Sequence, residues 1–179
     1  MNIFILDEDP KIAAQMLCDK HTGSKNAGGK MIVESAQMLA NCYPLERLAK
    51  SDCPFTKTGN PRKHSYLHHP CSQWVMASQT NFEWLLEHAL EMVQEKIYRG
   101  GNLHFSSHFI NWCNIVRPTF TINGFTQPAL AMPDFYKKGD PVRSYRAYYI
   151  GEKYKIATWT VRQIPEWFSR STKCKNQEK

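Results

Sequence analysis

Thr80-Asn-Phe-Glu-Trp84-Leu-Leu-Glu-His88-Ala-Leu-Glu-Met92-Val-Gln-Glu-Lys96-Ile-Tyr-Arg99-Gly100-Gly101 is the stretch that decides the fold. Phe82, Leu85, Leu86, Ala89, Met92, Val93 and Ile97 recur at helical spacing and make one apolar face. Glu83, Glu87, Glu91 and Glu95 fall largely on the other side. Thr80 and Glu83 have capping-box spacing, and Gly100-Gly101 offers the left-handed residue that ends a helix. A helix this long and this apolar needs other elements to cover it.

The flanking sequence supplies them. Asp9-Pro10 reads as a capping carboxylate followed by proline at the first helical position. That helix is expected to reach about Asp19, with Ile12, Met16 and Ala13 facing inward. A second helix is expected over Lys30 to Asn41, and His69-Pro70 opens another with Trp74 and Val75 inside. Residues 104–116 also read as helical. Pro141 starts a last substantial helix, through about Trp159, with Tyr145, Tyr148, Tyr149 and Ile156 as its aromatic face. Residues 165–168 read as one further turn, and Ile3–Leu6 as a buried strand or an extended arm. Thr22–Gly29 is expected to be a flexible loop, 42–67 a surface loop with a helical turn near Leu45–Lys50, and 117–141 a long ordered loop. The fold class is therefore mainly α, with little or no sheet. We expect a single compact helical domain over 1–170 and a flexible basic tail over 171–179.

The chain has 179 residues, 42% hydrophobic and 12% aromatic, which excludes a disordered chain. It holds no uncharged apolar window of about eighteen residues, so no membrane span is expected. The start lacks the basic region of a signal peptide, which points to a cytoplasmic protein, in the host cytoplasm if phage-encoded. Lys plus Arg is 23 against 16 Asp plus Glu, a net charge of +7. That balance suggests an anionic partner, either DNA or a small phosphate-bearing nucleotide. The six cysteines form no CxxC and read as reduced thiols. Self-association into a homo-oligomer stays open.

Several residues could carry chemistry. Glu34 lies one turn into the second helix, near Lys30 and Gln37. A carboxylate among apolar neighbours can act as a general acid or stabilise a developing oxocarbenium cation. The plainer reading is an exposed Lys30–Glu34 helix pair. His21, His68 and His69 could bind phosphate or take part in acid–base chemistry. With Cys18 and Cys71 they include zinc-ligand types, but the spacing matches no strong zinc motif, and no metal or other cofactor is expected. Asn81, Trp84 and His88 could form one wall of a pocket, with the indole as a stacking surface. Arg143 and Arg146 share a helix face among tyrosines, Tyr148 included, and could grip a phosphate. The alternative there is a solvated basic face over a Tyr-rich core.

Taken in order, Leu17-Cys-Asp19-Lys-His21, a helix bearing Glu34, Asn81-Phe-Glu-Trp84…Arg99-Gly100, and Tyr145-Arg-Ala-Tyr148-Tyr149-Ile-Gly151-Glu-Lys153 resemble a known family. It is that of the small phage pyrimidine-dimer DNA glycosylases of the T4 endonuclease V type. The resemblance implies a mainly helical enzyme, with Glu34 in the place of the catalytic glutamate and His21 in that of the family histidine. It also implies attack on the sugar C1′ by the α-amine of residue 2 once Met1 is removed. Here Asn2 is a poor substrate for that removal, so Met1 is expected to stay. Val33 and Gln37 stand where the family has arginines beside the glutamate, and Thr22–Gly29 lengthens the gap from His21 to Glu34.

Two functions follow. One is a glycosylase-like protein that binds DNA or a nucleotide in a basic, aromatic pocket, with N-glycosidic bond chemistry at Glu34. The other is a non-catalytic phage anti-defence protein that sequesters a nucleotide immune signal, an ADP-ribose derivative or a cyclic dinucleotide.

Overall fold

The computed structural model describes residues 2–169. The elements are α1 (Pro10–Met16), α2 (Asp19–Thr22), α3 (Lys30–Ala40), α4 (Leu45–Leu48), α5 (Pro70–Ala77), α6 (Gln79–Tyr98), α7 (Ser107–Ile115) and α8 (Pro141–Lys153). A 3₁₀ turn covers Asp134–Tyr136, and a last helical turn covers 166–169. Among the described residues there is no strand, only the isolated bridges Ser24–Ala27 and Lys138–Asp140. The fold is mainly α, as its sequence implies. The basic tail and the retention of Met1 lie outside the described residues.

The long helix α6 is the spine. It packs against α1, α2, α3, α5 and α7. Phe82, Leu85, Leu86, Ala89, Met92 and Val93 are buried on it. Each large apolar side chain so buried contributes roughly 1.5–3 kcal/mol relative to exposure. Two expected positions are corrected. Ile97 is 43% exposed, while Glu95 is buried. Glu95 turns inward because it is the counter-ion of two arginines. Ser78, one position before α6, is the N-cap and accepts from Asn81 N. The Thr80 hydroxyl instead donates to the Asn123 carbonyl.

The end of α6 holds a buried charge network. Arg99 donates through Nε and Nη2 to Glu95 at 3.1 and 2.9 Å, and through Nη1 to Asp19 at 3.2 Å. It also donates to the carbonyls of Leu17 and Gln15 at 2.8 and 2.9 Å. Arg162 closes on the other side of Glu95 at 2.5 Å. Two guanidinium groups thus face two carboxylates, and the cluster is neutral.

This network explains where the first helix stops. The Leu17 carbonyl is taken by Arg99 rather than by a following helical turn, and Leu17 is extended. The helix expected to reach Asp19 therefore breaks into α1 and α2. The short α1 meets α6 through Ala13 and Ala14, and Ile12 points to solvent. The last helix also ends early, at Lys153. Beyond it the chain returns to Asp19, which donates its N–H to the Thr158 carbonyl and accepts from Thr160 N.

The 22–29 loop is held down, not loose. Lys96 Nζ, buried with its helix, donates to the carbonyls of Ser24 and Ala27 at 3.3 and 3.1 Å. Gly29 has a φ of +79°, and a Cβ there would come within 2.8 Å of the Thr22 carbonyl. Only glycine fits at that entry to α3.

Replacing Arg99 by Ala leaves Glu95 and Asp19 buried with one cation fewer. We expect a loss of roughly 3–5 kcal/mol in urea-denaturation free energy. Arg99→Lys restores only part of it, because one ammonium cannot span the four acceptors. A loss below about 1 kcal/mol for Arg99→Ala, the scale of an exposed pair, would show the network to be incidental.

Candidate functional site

The site starts from the extended arm. Ile3, Phe4, Ile5 and Leu6 are all buried, although they pair with no strand. Side chains take over the role of a neighbouring strand. Arg146 Nε donates to the Leu6 carbonyl at 2.8 Å, and Asn2 Nδ2 donates to the Ala131 carbonyl at 3.1 Å. Phe4 fits among rings of α8, edge-on to Tyr145 and Tyr149. It also stacks on His21, with centroids 4.8 Å apart. An arm anchored at both ends holds the backbone of residue 2 in one place.

That place is against Glu34. The carboxylate is 9% exposed, and its Oε2 accepts from Asn2 N at 2.9 Å. Its Oε1 lies 3.4 Å from Lys30 Nζ. The exposed helix pair anticipated as the plainer reading is therefore only half right. Lys30 is exposed, but the carboxylate is inward and shared with the start of the chain. Cys71 lies below, its thiol donating to Asn2 Oδ1 at 3.7 Å and 3.9 Å from the Tyr145 hydroxyl. Burial raises the Cys71 thiol pKa, so it packs as a thiol rather than serving as a nucleophile. His69 caps α5 through Nδ1, which accepts from Cys71 N at 3.1 Å. Burial lowers the His69 pKa, and the nearby Glu34 charge opposes that shift.

His21 is fixed as a neutral ring. The Tyr149 hydroxyl accepts from Cys18 N at 2.9 Å and sits 2.7 Å from His21 Nδ1. The hydroxyl can either donate to that nitrogen or accept from it, according to the ring tautomer. Burial, then the charges of Lys153, Lys30 and Lys20, push the His21 pKa down to about 4. Lys153 caps the same wall, 5.0 Å above the Tyr148 ring and 5.9 Å from Phe4. Glu34, Lys30, His69, His21, Tyr148 and Lys153 thus form one neighbourhood linked by contact or charge.

Other candidate residues stand apart from it. Asn81 is fully buried, with Nδ2 donating to the Trp74 carbonyl and to Thr126 Oγ1, both at 2.7 Å. The Trp84 indole donates to the Glu8 carbonyl at 2.8 Å and stacks on His88. His88 Nδ1 donates to the Pro10 carbonyl at 2.8 Å. All three tie loops to α6. Trp84 alone borders a cleft, one of about 320 Å³ beside Ile5 and Phe125. Arg146 is committed to Leu6 and to Asp7, 3.3 Å away, whereas Arg143 is exposed. His68 is exposed on a groove shared with His69, and Gln37 borders a larger cleft one turn along α3 from Glu34. Among the described residues, no cluster of three or more His, Cys, Asp or Glu could hold a metal ion. Asn2, Cys71 and Lys153 also lie here, although the sequence pointed to none of them as a contact of Glu34 or of the ring wall. Lys153 lies in the quoted tyrosine-rich segment, but nothing local in the sequence marks Asn2 or Cys71.

The fold is helical, and on it an inward glutamate accepts a hydrogen bond from the nitrogen of residue 2. The family model for pyrimidine dimer DNA glycosylase (Pyr_excise) matches residues 1–109, more than half of the chain. The chain belongs to that family and is a glycosylase-like protein that acts on DNA. No curated protein and no solved structure matches it. Among the described residues, no helix is long and apolar enough to cross a membrane.

The two buried histidines make stability pH-dependent. His21 and His88 both fall from the ordinary 6.5 to about 4, in each case chiefly through burial. Across that window the unfolded chain binds protons that the folded chain refuses. Their contribution is complete above pH 6.5 and is lost as pH falls towards 4. Each can add up to about 1.4 kcal/mol per pH unit to the slope. Urea melts at stepped pH should show this fall, and His88→Asn should flatten it. An identical slope in the variant would mean that His88 is protonated in the fold.

Proposed function

We propose that this protein breaks the N-glycosidic bond of a nucleotide in DNA, with Glu34 as the acting carboxylate and a pyrimidine dimer as the substrate that the family name suggests. The observation that carries this reading is the 2.9 Å hydrogen bond between Asn2 N and the inward Glu34 carboxylate. A carboxylate fixed in this way is oriented before substrate arrives. Its charge can stabilise the oxocarbenium ion that forms at C1′ as the base leaves.

With Met1 retained, the nitrogen of residue 2 is an amide and cannot attack. Water is then the nucleophile. Its oxygen bonds to C1′, its proton passes to Glu34, and the C1′–N bond breaks with its electron pair leaving on the base. The Lys30 ammonium lies beside Glu34, and Lys153 faces the neighbouring ring wall, where both can draw phosphates towards the centre. His21 stays neutral beside them, because burial holds its pKa down to about 4.

Sequestration of a nucleotide signal is a second reading. One observation favours it: a cleft of about 630 Å³ beside α3 could enclose a nucleotide without using Glu34. That reading predicts tight retention of an unaltered nucleotide.

Glu34→Gln should abolish cleavage of the glycosidic bond at the dimer in duplex DNA carrying a thymine dimer, read as the strand's gain of one water in mass, while changing DNA affinity less than about threefold, since one hydrogen bond to Asn2 N can be kept. Equal losses of binding and activity would make Glu34 a structural residue. Borohydride added during turnover should trap no protein–DNA adduct. An adduct would assign the attack to a primary amine instead of water, and peptide mapping of it would tell the start of the chain from Lys30.

A further inference from the structure

We propose that the cleft beside α3 is a phosphodiester-binding subsite that holds the DNA backbone next to the nucleotide acted on at Glu34. It deepens the glycosylase reading and rests on it.

The cleft, of about 630 Å³, runs between α3, the 56–65 loop and the segment entering α7. Lys57, Arg62, Lys63, His64, Lys96 and His104 line it, and no Asp or Glu does. The chain has 16 acidic residues, so their complete absence from this lining is a local feature. Among the described residues, none of the four cationic side chains belongs to an ion pair, whereas Lys11, Lys30, Arg47, Arg99, Lys137, Arg146 and Arg162 do. The cleft is also built rather than merely bordered by surface lysines. Arg62 lies flat on Phe109, 4.2 Å from its centroid, with Nε donating to the Pro54 carbonyl at 3.1 Å. Lys96 is held by the Ser24 and Ala27 carbonyls. His104 Nδ1 accepts from Ser106 N at 3.1 Å, which leaves Nε2 as a donor. Burial, then the charges of Lys96 and Lys57, lower the His104 pKa, so a proton on His104 is disfavoured beside those lysines. An anion placed among these side chains would face Lys57, Arg62, Lys63 and Lys96 with no carboxylate in the lining to oppose it. Ser65 Oγ, also in the lining, is a buried hydroxyl with no partner among the described residues.

Position connects the cleft to Glu34. Val33 and Gln37 line it from α3, and at 100° per residue Gln37 lies only about 60° around the helix from Glu34. Lys30 falls between them. On the other side, the cleft shares His64 and Ser65 with the groove that ends at His68 and His69. His69 is close enough to feel the Glu34 charge. A strand with one nucleotide at Glu34 would therefore pass over Lys30 and Gln37 into the cleft.

The test is the salt dependence of binding to a labelled duplex carrying a thymine dimer. The variants are Lys57→Ala with Lys63→Ala, both exposed, and separately His104→Ala. Each lysine on a phosphate adds about 0.9 to the slope of log K against log salt, so the double variant should flatten it by about two. Glu34→Gln should keep the wild-type slope, which separates failure of the subsite from failure of the glycosidic reading. An unchanged slope in the double variant, with an unchanged melting temperature, would overturn the proposal. So would a mononucleotide that saturates the cleft without displacing DNA, because it would assign the site to a free nucleotide instead of a strand. Competition between mononucleotide and duplex, lost in His104→Ala, would support it.

Discussion

The buried guanidinium of Arg99 is the constraint on which most of this molecule depends. It sits where the spine helix ends and takes acceptors from three separate pieces of chain: the end of α1, the start of α2 and α6 itself. A cation this deep is tolerable only because every direction it faces offers an acceptor, two of them charged. Removing any one piece would leave part of it unpaired. The break between α1 and α2 is thus fixed by hydrogen-bond accounting rather than by helix propensity. That break aims His21 at Phe4 and Tyr149, and the same Asp19 draws residues 158–160 back over the bundle.

From this anchor the site is assembled by two further locks. One is Lys96 on the 22–29 loop, which sets how α3 starts and so where Lys30 and Glu34 point. The other is the arm 3–6, clamped by Arg146 and the tyrosines of α8. The arm brings the first residues of the chain to a glutamate on a helix 32 residues away in sequence. Neither lock contributes a reacting group. Their effect is to remove freedom from Glu34, and under the proposed function that is where positioning would lower a barrier.

Much of the fold was legible in the sequence, and the unread parts share a cause. Period and caps placed both ends of α3 and α6 and the starts of α1 and α5 within a residue or two, because Asp9-Pro10, His69-Pro70 and Gly100 act locally, while α7 starts three residues later than expected. What failed depended on partners distant in sequence. Glu95 looked like a member of a solvent stripe, since periodicity carries no information about Arg162, 67 residues away. Thr80 looked like a cap because Ser78 and Thr80 differ only in where the chain enters. Glu34 was placed by resemblance, yet its inward setting depends on Asn2, which no helical pattern includes. The basic–aromatic run at 143–149 proved to be largely internal: Tyr145 and Tyr149 are core, and Arg146 holds the arm. The charge that faces a cleft lies instead in a proline-interrupted loop at 56–65, where no periodic signal exists.

One measurement bears most directly on the proposal that this protein breaks the glycosidic bond of a nucleotide in DNA with Glu34 as the acting carboxylate. A duplex carrying a single thymine dimer would be incubated with excess protein and the strand masses read over time. The predicted result is a strand that has lost the glycosidic bond at the dimer, with its sugar–phosphate backbone unbroken at first. Recovery of the strand at its starting mass, with the protein folded and DNA bound, would contradict it.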